Sequence, residues 1–528
     1  MVTDVVIVGG GPVGLFLAAE LRLGGVNVTV VEKAVQRNVN SRAFRLQPRT
    51  LDILDARGLL DRFSKDHLAW PKAHFAGLKP LLDLTRTGGE HGHSLLIPQA
   101  RTEELLEAHA QEVGADIRRG HELTGLRQDG GKVTATVRHG RDDYHLETSY
   151  LVGCDGGRSQ VRKLAEIEFP GTVGRVAALL GDVTLDDPEK LPSGVPGTLR
   201  TPGGLLMAVA LEPGLTRVLT TEFGRPHPDR ESAVTLEEFQ ASIHRVTGED
   251  VKMHDPRWLS RFNDSTRLAE RYREGRVLLA GDAAHVHFPI GAQGLNLGLQ
   301  DAMNLGWKLA AEIQGWAPKG LLDTYQKERQ PVARAVLRET QAQLALMNPD
   351  EAINPLRELF QELLALDPVN EYLARLVSGT DVRYDFDAGE ADPSPLLGRF
   401  APVMTVKTAD GQATLAELLR PGRGVLVEFA DPGGRADSAD LAALSAGWRG
   451  RVDVAVCHTS TQPPAWELLL RPDGHVAWAA PAAGPAEPDA DGPDGRDRAL
   501  ATWFGTPVSG SAVTPGHAST PAGTWPQC

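Results

Sequence analysis

Hydrophobic and polar positions follow a readable order from the N-terminus. Val5–Val8 is a short continuous apolar run, the mark of a strand buried on both faces of a parallel sheet. A glycine turn follows, and Val13, Leu17 and Leu21 then recur at helical spacing until Gly24-Gly25 closes the helix. Val28–Val31 reads as the next strand, completing a βαβ unit. From about Phe169 to Arg267 the period changes. Short alternating stretches such as Leu205–Leu211 and Val218–Thr221 are broken by Pro and Gly, which predicts an antiparallel sheet in a second layer. A buried-type strand returns at Arg276–Ala280, and Leu295, Leu299, Ala302, Leu309 and Ile313 mark a strong helix after it. The first fold is thus interrupted by the second and then resumed. Leu321–Met347 predicts another long helix, bent or restarted near Pro331.

Around residues 385–402 the chain becomes loop-like, and a further α/β pattern begins. Val425–Phe429 and Val452–Cys457 read as strands, and the Pro472-Asp473-Gly474 turn joins two apolar runs into a hairpin. Residues 480–496 and the tail after Thr506, rich in Pro, Gly, Ala and Ser, are expected to be mobile. No internal repeat is visible.

Composition narrows the class. With 528 residues, 41% hydrophobic and 23% charged, the chain is an ordinary globular protein of several domains. A net charge of −14 excludes wholesale binding of a phosphate backbone. No apolar run is long enough to span a membrane, and Met1–Asp4 leads directly into a strand without signal-peptide character. The three cysteines, Cys154, Cys457 and Cys528, are too scattered for a disulfide framework or a zinc knuckle. A cytoplasmic enzyme is the expectation.

The chemistry begins at Gly9-Gly10-Gly11-Pro12-Val13-Gly14, a G-x-G-x-x-G that follows a strand, opens a helix and is answered by Glu32 at the end of the next strand. Gly9 permits the tight turn, Gly11 the approach of a pyrophosphate to the helix N-terminus, and Gly14 close helix–strand packing. Glu32 would accept from ribose hydroxyls. A dinucleotide is the expected ligand, and two later segments choose which. Leu151–Ser159 and Leu278–His285 each run a strand into a glycine turn with a carboxylate, Asp155 or Asp282, at its tip. A carboxylate so placed suits a polyol such as the ribityl chain of FAD, for which NAD has no counterpart.

With these motifs together, the chain resembles a class A flavoprotein monooxygenase of the para-hydroxybenzoate hydroxylase fold. It is most similar to the bacterial branch of aromatic polyketide hydroxylases and rifampicin monooxygenase. Ser41-Arg42-Ala43, Gln47–Thr50, Pro98–Glu103, Pro289–Asn296, Gln300–Leu309 and Arg471–Trp478 also carry the resemblance, which covers the chain to about residue 505.

It implies an α/β fold: a Rossmann-type FAD-binding domain in two parts (residues 1–170 and 269–390) interrupted by an antiparallel-sheet substrate domain (171–268). A C-terminal thioredoxin-like domain without C-x-x-C (391–508) and a flexible tail (509–528) complete it. The cofactor-binding residues it implies are Gly9, Gly11, Pro12, Val13, Gly14, Glu32, Lys33, Arg42, Gln99, Arg101, Leu123, Asp155, Gly281, Asp282, Gly294, Leu295 and Asn296. Glu32 would hold the adenosine ribose, Arg42 the pyrophosphate region, Gln99 and Asp282 the ribityl chain. The free N–H groups at Leu295 and Asn296 would face the flavin pyrimidine ring. Pro289, Ile290, Gly291 and Ala292 would border the substrate. Where Ala292 stands the family usually has a second glycine, so a need for positive φ there would strain the alanine.

The implied reaction uses NADPH as a transient reductant and O2. A flavin C4a-hydroperoxide would hydroxylate a large polyketide or ansamycin-type aromatic in a monomer or homodimer. Baeyer–Villiger insertion, a quinone reductase without oxygenation and a ligand-sequestering protein are the alternatives. No catalytic acid or base is singled out. Arg45 and Arg49 read equally as flavin or substrate contacts and as surface or helix-start residues. Leu205, Met207, Val209 and Phe223 read equally as substrate wall and core. His285-x-His287 lacks the further ligands of a metal site, and Trp307 and Trp316 read as core.

Overall fold

The computed structural model describes residues 3–192, 197–225, 232–386, 394–430, 438–460, 462–480 and 492–508. Its first layer is built as the N-terminal pattern predicts. Strand β1 (Val5–Val8), helix α1 (Pro12–Leu23) and strand β2 (Val28–Glu32) form the βαβ unit. Helix α2 (Pro48–Asp55), helix α3 (Gln99–Glu112) and strand β3 (Asp116–Arg119) follow. Strands β4 (His121–Asp129), β5 (Lys132–His139) and β6 (Asp142–Thr148) make a separate antiparallel sheet. The chain then returns through β7 (Tyr150–Gly153) to the short helix α4 (Gln160–Leu164).

The middle layer contains β8 (Val176–Leu185), β9 (Gly197–Thr201), β10 (Gly204–Glu212), β11 (Leu215–Phe223), helix α5 (Leu236–Thr247) and β12 (Met253–Asn263). Strands β13 (Arg273–Glu274) and β14 (Val277–Leu279) rejoin the first sheet, whose order is β13–β14–β7–β1–β2–β3. All its pairings are parallel except β13 with β14. Long helices α6 (Gln293–Ile313) and α7 (Thr324–Met347) pack on it, followed by α8 (Asn354–Leu364) and α9 (Asp367–Ser378).

The middle sheet, ordered β9–β10–β11–β8–β12, is antiparallel throughout. Its two faces separate by the period of two. Leu206 and Ala208 pack with Phe239, Ile243 and Val246 of α5, while Leu205 packs on the other side with Val176, Ala178, Phe288 and Ile290. Helix α5 is absent from the strand-only expectation for this region. Thr235 caps it by accepting from Glu238 N, and Gly248 ends it at φ +79. Its start and stop signals were hidden by the surrounding strand pattern.

Pro331 sits inside an unbroken α7 of 24 residues rather than restarting it. The C-terminal unit holds β15 (Gly424–Phe429), helix α10 (Ser438–Gly447), β16 (Val452–Cys457), β17 (Glu467–Leu470), β18 (Val476–Ala479) and helix α11 (Gly492–Phe504). Strands run in the order β16–β15–β17–β18, with only β15 and β16 parallel. Helix α11 corrects the expectation of a mobile stretch through residue 496. Leu500, Trp503 and Phe504 are buried against Trp307, Leu426 and Trp448, which fixes it. The remainder of that stretch and the tail from 509 lie outside the described residues. Among the described residues no helix is long and apolar enough to cross a membrane.

Candidate active site

Three parallel strands end side by side, and each hands over to a glycine turn. At the end of β1, Gly9 has φ +110, and a methyl group there would stand 2.3 Å from the Cys154 carbonyl oxygen. Gly14 is as tight: its methyl would lie 2.1 Å from Gly9 O, so α1 can start this close to the strand only with glycine there. Around Gly11 the space a side chain would take is open to 4 Å. Gly11 is the N-cap of α1 and no side chain caps it, leaving amides free at the positive helix end. Glu32 stands across the turn, its Oε2 accepting from Gly10 N at 2.7 Å and its Oε1 from Ala34 N at 2.8 Å. Each oxygen keeps a lone pair for another donor. Lys33 beside it is exposed.

At the end of β7, Asp155 Oδ2 accepts from the first amides of α4, Gln160 N at 2.6 Å and Val161 N at 3.1 Å. Its Oδ1 is buried without a hydrogen-bond partner. Burial, with Asp155 and Asp301 nearby, pushes the Cys154 thiol well up, so it stays protonated.

The third turn follows β14. Gly281 has φ +64 and its N–H donates to Asp301 Oδ2 at 3.1 Å, leaving the side chain of Asp282 exposed. Asp301 also accepts from His285 Nε2 at 2.6 Å and Arg329 Nε at 2.8 Å, with all three side chains at 0% exposure. Burial alone would raise Asp301, but the His285 and Arg329 charges overcome it and hold the carboxyl below its ordinary range.

The Pro289–Ala292 loop carries Gly291 at φ +72 and Ala292 at φ +56, ψ +37. Ala292 thus takes the left-handed backbone that favours glycine, as a strained alanine would. The loop is clamped on several sides. Gln47 Nε2 donates to Gly291 O at 2.7 Å, and Asn296 Nδ2 to Ala292 O at 2.7 Å and Arg45 O at 3.1 Å. Asn296 Oδ1 accepts from Gln47 N at 2.8 Å, so both ends of its side-chain amide are tied to the protein. What Asn296 can offer a ligand is its backbone in the first turn of α6, where no side chain caps the helix. Beyond the clamp, Gln293 Nε2 and Gln343 Nε2 both donate to Glu339 Oε1, at 2.7 and 2.8 Å.

Other sequence-predicted residues fall into place unevenly. Gln99 accepts from Ala43 N at 3.1 Å and donates to Glu103 at 2.8 Å, joining the Arg42 segment to α3. Arg42 itself is exposed, as is Arg101, which pairs with Glu104. Leu123 is 4% exposed and belongs to the core. Val13 fits between Gly281 and Gly298, holding α1 to α6. Arg49 is buried, paired with Asp52 at 2.8 Å and 4.2 Å from the centre of the Phe400 ring, so it braces the fold. The sequence reading gave no role to Ser41, Gln47 or Asp301, which lie in stretches carrying the resemblance, and did not name Arg217, Arg329 or Glu339. The signal for Asp301 was there: α6 is buried nearly all round, so a charge inside it must be paired. Among the described residues no three His, Cys, Asp or Glu side chains are grouped to hold a metal.

Comparison with known proteins gives the class. Residues 2–340 match a family model described as an FAD binding domain, and residues 394–507 one described as aromatic-ring hydroxylase, C-terminal. A 12-dehydrotetracycline 5-monooxygenase/anhydrotetracycline 6-monooxygenase of Streptomyces rimosus subsp. rimosus is 45% identical over 519 residues, covering 96% of this chain and 99% of that protein. A rifampicin monooxygenase of Streptomyces venezuelae is 45% identical over 477 residues, 90% of this chain and 95% of its own. The solved structure of the anhydrotetracycline hydroxylase OxyS from Streptomyces rimosus superposes with a TM-score of 0.87 at 43% identity, covering 96% of this chain and all of that one. The chain belongs to the class A FAD-dependent aromatic monooxygenases, in the branch of the aromatic polyketide hydroxylases. The residues present fit the cofactor: space is open at Gly11, the starts of α1 and α6 have no side-chain cap, Asp282 is exposed and Asp155 Oδ1 has no partner.

Proposed function

We propose that this chain uses NADPH and O2 to hydroxylate a large, electron-rich aromatic of the polyketide or ansamycin type. The observation that carries the reading is the meeting of three strand-end turns, Gly9–Gly14, Cys154–Asp155 and Gly281–Asp282, with the uncapped start of α6. The tetracycline and rifampicin relatives supply the substrate class.

When bound, the flavin supplies hydride acceptance and oxygen activation. The chain's own residues position it. Glu32 takes ribose hydroxyls with the lone pairs that Gly10 and Ala34 leave, Arg42 and the Gly11 amides take the pyrophosphate, and Asp282 takes the ribityl chain. The backbone amides of Gly294, Leu295 and Asn296 stabilise negative charge on the ring. Gln99 acts by aligning Ala43 and hence Arg42. The substrate borders the Pro289–Ala292 loop, beside the packed cluster of Leu205, Phe288 and Ile290 that excludes water. The C-terminal unit is read as a thioredoxin-like domain that has lost its redox pair. Its β16–β15–β17–β18 order and the lone buried Cys457 support that.

The test is an absorption spectrum of the purified protein, then NADPH oxidation with and without a panel of polyketide quinones and rifamycins, with products weighed by mass spectrometry. The expected result is a yellow protein, oxidation stimulated by one aromatic, and a product heavier by one oxygen, whose fragmentation separates hydroxylation from ring insertion. NADPH consumption with no oxygen in any product would make it a reductase. A colourless protein that FAD cannot reconstitute would sink the account.

A further inference from the structure

His287 stands beside the cradle without a role in anything described so far. Its Nδ1 lies 2.7 Å from the carbonyl oxygen of Phe288. A carbonyl only accepts, so Nδ1 carries the proton and Nε2 of the neutral ring carries the lone pair. Burial pulls the ring's pKa down against the opposing effects of the Phe288 bond and the Asp282 charge, which keeps it neutral near pH 7. That Nε2 is shut off from solvent and has no hydrogen-bond partner.

Its surroundings say what it faces. A methyl group on Gly294, in the first turn of α6, would sit 3.5 Å from His287 Nε2 and 3.8 Å from Asp282 Oδ1. Two acceptors therefore converge on one glycine, and a buried acceptor calls for a donor. A phosphate offers none at neutral pH and would be repelled by Asp282. The flavin ring offers a single N–H flanked by carbonyl oxygens, which a carboxylate repels as well. A polyol offers O–H donors on successive carbons, matching two acceptors that each lie within 3.8 Å of the space beside Gly294.

We infer that His287 is a cofactor-positioning residue whose Nε2 accepts a hydrogen bond from a ribityl hydroxyl of FAD, next to the hydroxyl taken by Asp282. The inference rests on the placement of the ribityl chain at Asp282 proposed above.

The experiment pairs residue and hydroxyl. Apoprotein of the wild type, His287→Phe and His287→Gln is titrated with FAD and with analogues lacking one ribityl hydroxyl each. Phenylalanine keeps the ring and loses the acceptor, whereas glutamine returns an oxygen near the position of Nε2. FAD affinity should fall about tenfold in His287→Phe, the size of one lost hydrogen bond, and recover to within about threefold in His287→Gln. One deoxy analogue should bind the wild type about tenfold more weakly than FAD does, yet bind His287→Phe as well as FAD does. Equal losses for that analogue in both proteins would overturn the inference.

Histidine-labelled wild-type protein gives a second readout that needs no variant. The Nε2 nitrogen resonance of His287 should report an unprotonated acceptor in the apoprotein and move on FAD loading. A protonated Nε2, or no movement, also overturns the inference. If wild-type apoprotein binds no FAD, the cofactor reading itself fails. If it binds FAD and the losses are additive, only the role of His287 fails.

Discussion

Glu328→Gln is the perturbation whose size follows most directly from the structure. Glu328, on α7, receives both arms of the Arg471 guanidinium at 2.8 Å, Lys308 Nζ at 2.8 Å and Asn304 Nδ2 at 2.6 Å. Arg471 also pairs with Asp473, and the four charged side chains are no more than 5% exposed. Two basic side chains thus face two carboxylates in a buried seam between α6, α7 and the β17–β18 hairpin. The guanidinium packs 4.4 Å from the centre of a Trp503 ring. A glutamine would leave Arg471 with Asp473 alone, strip Lys308, already brought down to about 7 by burial, of the carboxylate that holds its proton, and set its own NH2 among donors. Breaking a buried pair in this way costs about 3–5 kcal/mol.

A second route gives a similar size. Burial alone would raise Glu328, but Arg471 and Lys308 bring it from 4.5 down to about 2, a gap worth about 3 kcal/mol. Because the folded value is depressed, this stability is present above pH 4.5 and is lost as pH falls toward 2. Urea unfolding followed by tryptophan fluorescence reads it, since Trp307 and Trp503 adjoin the seam. The variant should lose about 3 kcal/mol at pH 7, with the difference shrinking below pH 4.5. Replacing Glu328 and Arg471 together by methionine should recover most of the loss. A deficit under about 1 kcal/mol at pH 7, the size of a surface pair, would refute the reasoning.

Two further outcomes follow from the flavin-side loop. Ala292→Gly removes about 1–2 kcal/mol of left-handed strain at φ +56 and gives back about 0.4–1 kcal/mol to the unfolded chain. Its thermal midpoint should therefore rise by a degree or two, roughly, and a fall would mean that the alanine is not strained. Glu339 is raised by burial against its two glutamine donors, so its contribution is fully present below the ordinary carboxyl value and is lost as pH rises through the folded one. Glu339→Gln keeps an oxygen for both amides and should flatten the decline of the thermal midpoint as pH rises above 4.5. An unchanged slope would show that the carboxyl is ionised throughout.

The parts of the molecule legible in the sequence are those with a local cause. The βαβ start is written in a period change and three glycines, and two of those, Gly9 and Gly14, are held by contacts that exclude any side chain. Asp282 could be singled out because a strand, a glycine and a carboxylate in succession form a local pattern. The residues that brace this frame were not legible, because their partners are remote in sequence. Gln47 meets Gly291, Arg217 reaches Ser41 O and Asp182, and Arg329 joins Asp301 to Tyr384. Gln47 lies in a stretch that carries the family resemblance, but nothing near it or Arg217 in the chain points to the partner it meets.

The Pro472-Asp473-Gly474 turn shows both sides of this. Its residues identify a hairpin, and the chain does fold back there from Glu467–Leu470 to Val476–Ala479. Yet Asp473 is 1% exposed, accepts from Arg471 Nε at 3.0 Å and from Asn304 Nδ2 at 3.2 Å, and has His475 at 3.4 Å. His475 in turn stacks 4.2 Å from Tyr384, whose hydroxyl accepts from Arg329. Arg329 holds Asp301, and Asp301 holds the backbone of Gly281 beside the proposed ribityl site. A tight turn at the surface of the C-terminal unit would have needed only a residue that tolerates the turn. This one is buried because the same aspartate closes a polar chain from that unit to the cofactor cradle. The C-terminal unit is therefore joined by a continuous polar chain to the backbone of Gly281, beside the proposed ribityl site.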